Sequence, residues 1–329
     1  MTTQPLALTS APFVHGAPST RAVMLEVVAA TLPVIATATY YFGVTALLLV
    51  AASVTGAVLT EWVVSSRRGL ATLRDGSGLL TGILLALTLP PAIPLWMAFL
   101  GGVVAIALGK VIWGGLGRNL FNPALVGRAF LQASFPVTLT TWIAPGRGWM
   151  HFEPSTFAAP LMKSQVDVVT SASPLGLAKF DHQFTELKPL LLGSISGSLG
   201  ETAGVVLLVC GLWLAARRIF DWRLMASTLL AVFVAGGAFY LLSPDKYPSP
   251  LFMLASGGLL FGAVFMVTDP VTTPLTPKGA WIFGCGVGVL VVLIRLFGGL
   301  PEGVMYAILL MNGITPLIDR KTQPRRFGG

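Results

Sequence analysis

Long apolar stretches, many of them long enough to cross a lipid bilayer, recur along the whole 329-residue chain. Six reach spanning length, at residues 23–42, 44–63, 95–114, 202–217, 224–243 and 279–298. Four shorter ones contain Gly, Pro or a charge and lie near 78–90, 121–138, 251–268 and 301–317. A membrane-spanning helix needs about 20 predominantly apolar residues. The sequence therefore predicts an all-α polytopic membrane protein with about ten transmembrane helices.

The composition supports this fold class and excludes others. Charged residues make up 10% of the chain, against roughly 25% in a soluble domain. The net charge of +8 does not indicate a nucleic-acid partner, because the basic residues are scattered at helix ends rather than gathered on one face. The two cysteines, Cys210 and Cys285, lack the spacing of a metal or iron–sulfur site. We predict neither a metal site nor a catalytic residue in this chain.

The basic residues also predict the topology, because positive charge is retained on the cytoplasmic side during insertion. With ten spans and a cytoplasmic N-terminus, most Lys and Arg residues fall inside, and Arg128 and Arg295 lie within spans. Both termini are then cytoplasmic, and the long loop at 139–188 is periplasmic. The predicted segments are an N-terminal tail (1–21), a first five-helix repeat (22–138), the periplasmic loop (139–188), a second five-helix repeat (189–318) and a basic tail (319–329).

Two segments of the chain resemble each other. GLLTGILLALTLPPAIP at 78–94 aligns without a gap on GLLFGAVFMVTDPVTTP at 258–274, with Thr and two Pro residues kept in register. The copies begin five predicted spans apart, so they would cross the membrane in opposite senses. Inverted repeats with broken helices typically meet at a site in the middle of the membrane. We therefore expect two inverted five-helix repeats with broken helices.

Several polar residues stand out within these apolar surroundings. Asn122 and Asp269 each precede a proline, which predicts a helix end with free backbone groups. Such a pair is also compatible with simple capping at the membrane boundary. Arg128 lies inside a predicted span, where a cation needs a partner or an anionic ligand. The alternative is that its long side chain reaches the surface.

Five separated segments together resemble the RnfD/NqrB family, and RnfD in particular. They are DGSGLLTGILLALTLPP, GGLGRNLFNPALVGRAF, GSLGETA, FMVTDPVTTPLTPKG and PEGVMYAILLMNGITPLIDR. The resemblance extends from about residue 20 to 328. It implies a membrane subunit of an ion-translocating electron-transport complex in the bacterial inner membrane, with a fold similar to that of urea-transporter-like channels.

The resemblance also gives a role to DVVTSASPL at 167–175. Members of the family carry FMN esterified through its phosphate to a hydroxyl in a motif Asp-x-x-Ser/Thr-x-Ala-Thr/Ser. Asp167, Thr170, Ala172 and Ser173 match this motif, which implies Ser173 as the acceptor. Serine stands where the family usually has threonine, so the neighbouring hydroxyls of Thr170 and Ser171 remain alternatives. An ordinary Ser/Thr-rich surface loop is the alternative without flavin.

The resemblance further implies an Rnf-type relay of electrons through covalent FMN, coupled to movement of Na⁺ or H⁺. Its expected partners are the other Rnf subunits, including a second flavin-bearing subunit and membrane iron–sulfur subunits, and a flavin transferase. A second, noncovalent flavin (riboflavin) is a further expectation. Its surroundings would come from polar residues at broken-helix ends and from Arg128: Asn119, Asn122, Arg128, Thr268, Asp269, Thr272 and Glu302. A channel for a small polar solute and a purely structural subunit are the other functions considered.

Overall fold

The structure is a computed structural model. It describes residues 19–65, 75–146, 148–160, 172–202, 204–244 and 246–323. The α-helices of these residues are, in chain order, α1 (Thr20–Phe42), α2 (Val44–Ser65), α3 (Ser77–Leu87), α4 (Leu95–Ile106), α5 (Pro123–Ser134), α6 (Pro136–Leu139), α7 (Pro174–Gly176), α8 (Leu187–Leu192), α9 (Gly204–Ala216), α10 (Trp222–Leu242), α11 (Pro250–Ala255), α12 (Leu259–Phe261), α13 (Pro277–Phe297) and α14 (Val304–Thr322). Short π-helical segments follow α4 (Ala107–Val111), α7 (Leu177–Asp181) and α12 (Gly262–Met266).

Helix ends follow the local sequence. Asn122 caps α5 by accepting the N–H groups of Ala124 and Leu125 at 3.0 and 3.4 Å, and Pro123 takes the first helical position. The proline costs nothing there, because an N–H at that position has no partner within the helix. Thr276 caps α13 in the same way, ahead of Pro277. The Asn-Pro pair therefore begins a helix, as the sequence predicts.

Each of the ten predicted apolar stretches contains helix. Four helices of the described residues are long and apolar enough to cross a membrane: Thr20–Phe42, Val44–Val64, Trp222–Leu242 and Pro277–Phe297. Shorter apolar helices occupy Ser77–Leu87, Leu95–Val111 and Gly204–Ala216. The stretch at 251–268 is interrupted between α11 and α12, where Gly257 adopts a φ of +64° that favours glycine. The protein is a multi-pass helical membrane protein.

Helix packing recurs between the two halves of the chain. Helices α10, α13 and α14 begin 178, 182 and 181 residues after α2, α4 and α5. Helix α2 packs against α4, and α10 packs against α13 in the same manner. Both pairs approach closely at a glycine: a Cβ on Gly102 would overlap the Ser53 carbonyl oxygen, and one on Gly284 would overlap the Ser227 hydroxyl. Small residues allow such close contact between helices in membranes.

The two halves meet where α5 approaches α14. Asn122 lies at the start of α5, and Glu302 lies two residues before α14 begins. These two positions are 180 residues apart, which is also the offset of the repeated sequence. The helix starts that carry them therefore occupy equivalent places in the two halves.

Candidate functional site

A cavity of about 380 Å³ lies between α5, residues 172–181 and the turn before α14. Ala172 and Ser173, the two described members of the attachment motif, line it together with Arg128. Its aromatic lining residues are Trp142, Phe180 and Tyr306. We call it the Ser173 cavity. Its volume lies within the range of small-molecule sites, and it combines a hydroxyl, a cation and aromatic rings.

Ser173 is held in a defined orientation at the start of a helical turn. It is the N-cap residue of α7, and its Oγ accepts the Gly176 N–H at 3.1 Å. Pro174 follows at the first helical position and is buried. A serine hydroxyl has two lone pairs and one O–H, so this single bond leaves Oγ able to react or donate. The side chain is half-buried beside an exposed Ala172.

Lys179 anchors the segment that carries Ser173. Its Nζ donates to the carbonyl oxygens of Arg295 and Leu300, both at 3.0 Å, and also to that of Gly298. These carbonyls lie at the end of α13 and in the turn after it, where a helix leaves backbone acceptors unpaired. Partial burial lowers the pKa of Lys179 from its ordinary value. Sequence reasoning missed this contact, because backbone acceptors have no side-chain signature.

A buried group of charges lies behind the Ser173 cavity. Arg295, 3% exposed, donates to the carbonyl oxygens of Met253 and Ser256 at 2.6 and 2.9 Å. Its Nη2 is 3.6 Å from Glu302 Oε1, and Glu302 also lines the cavity. Arg128, 9% exposed, lies within electrostatic reach of the buried Glu201. Both arginines in spans therefore have acidic neighbours, and neither depends on reaching the surface.

A second, smaller cavity of about 70 Å³ lies at the start of α5. Asn119, Asn122, Thr268 and Asp269 line it. We call it the Asn122 cavity. The buried Oδ1 of Asn119 has no hydrogen-bond partner among the described residues, so this wall presents a free acceptor.

Hydrogen bonds around the Asn122 cavity join the two halves of the chain. Asn122 Nδ2 donates to Asp269 Oδ2 at 3.4 Å, and the Asn122 N–H donates to Asn312 Oδ1 at 3.3 Å. Thr272 Oγ1 donates to the same Asp269 oxygen at 3.2 Å. The Thr272 carbonyl in turn accepts from Asn312 and Thr315, both at 3.1 Å. The start of α5 is thereby fixed against the turn at 268–273.

Lys110 also faces the Asn122 cavity and is 3% exposed. Its Nζ donates to Glu61 Oε1 at 2.5 Å and to the Ser77 hydroxyl, and it lies 3.9 Å from Asp75 Oδ2. The lysine sits in the π-helical segment after α4, a form often found at functional sites. Sequence reasoning placed Lys110 at a cytoplasmic helix end and missed Glu61 as its partner.

The predicted site residues therefore divide between two places. Ala172, Ser173, Arg128 and Glu302 line the Ser173 cavity. Asn119, Asn122, Thr268 and Asp269 line the Asn122 cavity, and Thr272 bonds to Asp269 beside it. Asp167 and Thr170 of the attachment motif, and the alternative acceptor Ser171, lie outside the described residues.

Comparison with known proteins gives consistent matches over nearly the whole chain. The family described as NQR2, RnfD, RnfE matches residues 7–328. The D subunit of the proton-translocating ferredoxin:NAD(+) oxidoreductase complex of Clostridium ljungdahlii is 40% identical, over 98% of this chain and 96% of its own. The D subunits of two ion-translocating oxidoreductase complexes are also similar. That of Stutzerimonas stutzeri is 41% identical over 93% of this chain and 91% of its own, and that of Yersinia enterocolitica is 37% identical over 98% of each. The chain belongs to the NQR2, RnfD, RnfE family.

Proposed function

We propose that this chain is the D-type membrane subunit of an Rnf complex and relays electrons through FMN esterified to Ser173. One observation carries the proposal: the Ser173 hydroxyl and the Arg128 guanidinium line the same 380 Å³ cavity. A phosphodiester on Ser173 carries one negative charge, and a buried arginine is a suitable counter-ion for it. The names of the relatives, each the D subunit of an oxidoreductase complex that translocates ions or protons, support the same proposal.

The residues of the Ser173 cavity fit a flavin. Trp142, Phe180 and Tyr306 offer aromatic faces to a planar ring system, and the apolar lining excludes water from it. When bound, the flavin supplies the redox chemistry, because it can accept and release electrons one at a time. The chain supplies its position: Lys179 holds residues 172–181 against the end of α13, and this fixes the distance from Ser173 to Arg128.

We further propose that the fold consists of ten spans in two inverted five-helix repeats. The equivalent helix starts support this, because Asn122 faces one cavity and Glu302 faces the other. An inversion places equivalent positions on opposite sides of the membrane. In the proposed orientation both termini are cytoplasmic and the Ser173 cavity opens toward the periplasm. Electrons would arrive there from a second flavin-bearing subunit, and the terminal reactions and membrane iron–sulfur sites would belong to other subunits.

Riboflavin at the Asn122 cavity remains a prediction. The donors and acceptors of Asn119, Asn122 and Asp269 suit a polar ring edge. A free volume of about 70 Å³ lies below the roughly 300 Å³ at which small-molecule sites begin. The cavity would therefore have to widen for a flavin to enter, and we assign no step of the electron relay to it.

In-gel fluorescence tests the proposed attachment. The chain, expressed with its flavin transferase and separated under denaturing conditions, should fluoresce under ultraviolet light, and Ser173→Ala should not. Thr140→Val is the matched control, because it removes another hydroxyl of the same cavity and should keep the fluorescence. A fluorescent Ser173→Ala chain would move the attachment to Thr170 or Ser171. A non-fluorescent wild-type chain would favour a solute channel on the same fold.

A further inference from the structure

Two glutamates from distant parts of the chain meet beside the Ser173 cavity. Glu201 ends the turn Leu199–Glu201 and is 7% exposed, while the Glu302 side chain is 18% exposed and lines the cavity. They approach each other at Gly258: a Cβ on that glycine would lie 3.4 Å from Glu201 Oε1 and 3.3 Å from Glu302 Oε1. A side-chain hydrogen bond joins the two carboxyl groups.

A hydrogen bond between two carboxyl groups requires a proton on one of them, because an ionised carboxylate only accepts. Other donors already engage the remaining oxygens: Ser198 Oγ donates to Glu201 Oε1 at 2.6 Å, and the Gly258 N–H donates to Glu302 Oε1 at 2.8 Å. We propose that Glu201 and Glu302 form a proton-binding carboxyl pair that holds one proton between them in the wall of the Ser173 cavity.

Two arginines set the charge around this pair. Arg128 acts on Glu201, and Arg295 acts on both glutamates. With one shared proton, two guanidinium groups face a single negative charge, and the group carries +1. With both carboxyls ionised it is neutral. The proton therefore determines whether this wall of the cavity attracts an anion.

Unpaired polar groups beside the pair point to an enclosed water. Arg295 Nε and Ser256 Oγ are buried and have no hydrogen-bond partner among the described residues. They are neighbours, because Arg295 Nη2 donates to the Ser256 carbonyl oxygen at 2.9 Å. Ordered water usually satisfies such groups in proteins. A water here would connect the carboxyl pair with solvent and let its proton exchange.

The pair is also in position to respond to the flavin. A Cβ on Gly257 would lie 2.5 Å from Leu175 Cδ1, 3.0 Å from Glu302 Oε1 and 3.1 Å from Arg295 Nη2, so the segment carrying Ser173 packs directly against the pair. An electron that arrives in the cavity adds one negative charge and strengthens the binding of a proton nearby. This coupling rests on the proposed function, whereas the shared proton does not.

Infrared spectroscopy of the purified complex tests the proposal. At neutral pH the complex should show the carbonyl band of a buried protonated carboxyl group, shifted by transfer into D₂O. Glu201→Gln and Glu302→Gln should each abolish this band, because an amide can donate the hydrogen bond in place of the acid. Glu186→Gln, at an exposed glutamate, is the matched control and should retain it. A band that survives both pair variants, or no band in the wild-type complex, overturns the proposal.

Two further variants keep the test decisive. Gly258→Ala retains both carboxyl groups but places a methyl group against them, so the band should move without disappearing. An unmoved band would contradict the assignment even if the glutamine variants fail to fold. In the wild-type complex the band should also shift when the flavin is reduced, whereas in Ser173→Ala it should be present and insensitive to reductant. Failure of the proposed function therefore removes the redox response alone, and failure of the proton pair removes the band while in-gel fluorescence remains.

Discussion

Lys110 is the residue whose replacement we expect to cost the most stability. Its side chain is 3% exposed, and its Nζ lies 2.5 Å from the Oε1 of Glu61, which is itself 5% exposed. Lys110→Met leaves the Glu61 carboxylate buried without its cation, while Asp75 stays nearby. Breaking a buried pair by removing one partner typically costs about 3–5 kcal/mol. We expect a loss of free energy of unfolding in this range.

Thermal unfolding of the detergent-purified chain measures this loss through its tryptophan fluorescence. A cost of about 3–5 kcal/mol corresponds to a fall in Tm on the order of 10 °C. Lys278→Met is the matched control, because it removes the same charge from an exposed position and should change stability by less than about 0.5 kcal/mol.

A double variant separates the lost charge pair from lost packing. Adding Glu61→Gln to Lys110→Met neutralises the stranded carboxylate, so the double variant should recover much of the stability that Lys110→Met loses. The two residues are in contact, and their effects should therefore be strongly non-additive. If Lys110→Met lowers Tm no more than Lys278→Met does, or if the two single effects simply add, the buried pair does not form.

Three smaller effects should be measurable in the same assay. Gly284→Ala places a Cβ 2.8 Å from the Leu224 carbonyl oxygen and should cost about 1–3 kcal/mol, whereas Gly299→Ala, with nothing within 4 Å, should leave Tm unchanged. Asn122→Ala removes the N-cap of α5 and should cost about 1 kcal/mol; an unchanged Tm would show that the cap is not formed. Burial lowers the pKa of Lys179 in the folded state, so at alkaline pH below the ordinary lysine value the unfolded chain binds more protons and stability rises with pH. Lys179→Met should remove that rise, and an identical pH profile in the variant would contradict it.

The sequence predicted the helical elements well, because their signals are local. Apolar length marked every stretch that contains helix, and the Asn122-Pro123 pair marked the start of α5. The attachment motif and Arg128, 45 residues apart, were both singled out as functional. The structure adds that Ser173 and Arg128 line one cavity.

The remaining contacts depend on tertiary structure and leave little trace in the sequence. Glu61 and Lys110 are 49 residues apart, and nothing in their spacing identifies them as partners. Asn122 and Glu302 both lie at broken-helix ends, but only the packing of the two halves sends them to different cavities. Lys179 binds backbone carbonyls, which every residue possesses.

Fragmentation mass spectrometry of the peptide at 164–179, taken from protein purified with its flavin transferase, tests the central claim most directly. We predict that this peptide carries the mass of an FMN phosphoester and that fragment ions place it on Ser173. An unmodified peptide from colourless protein would contradict the proposed electron relay.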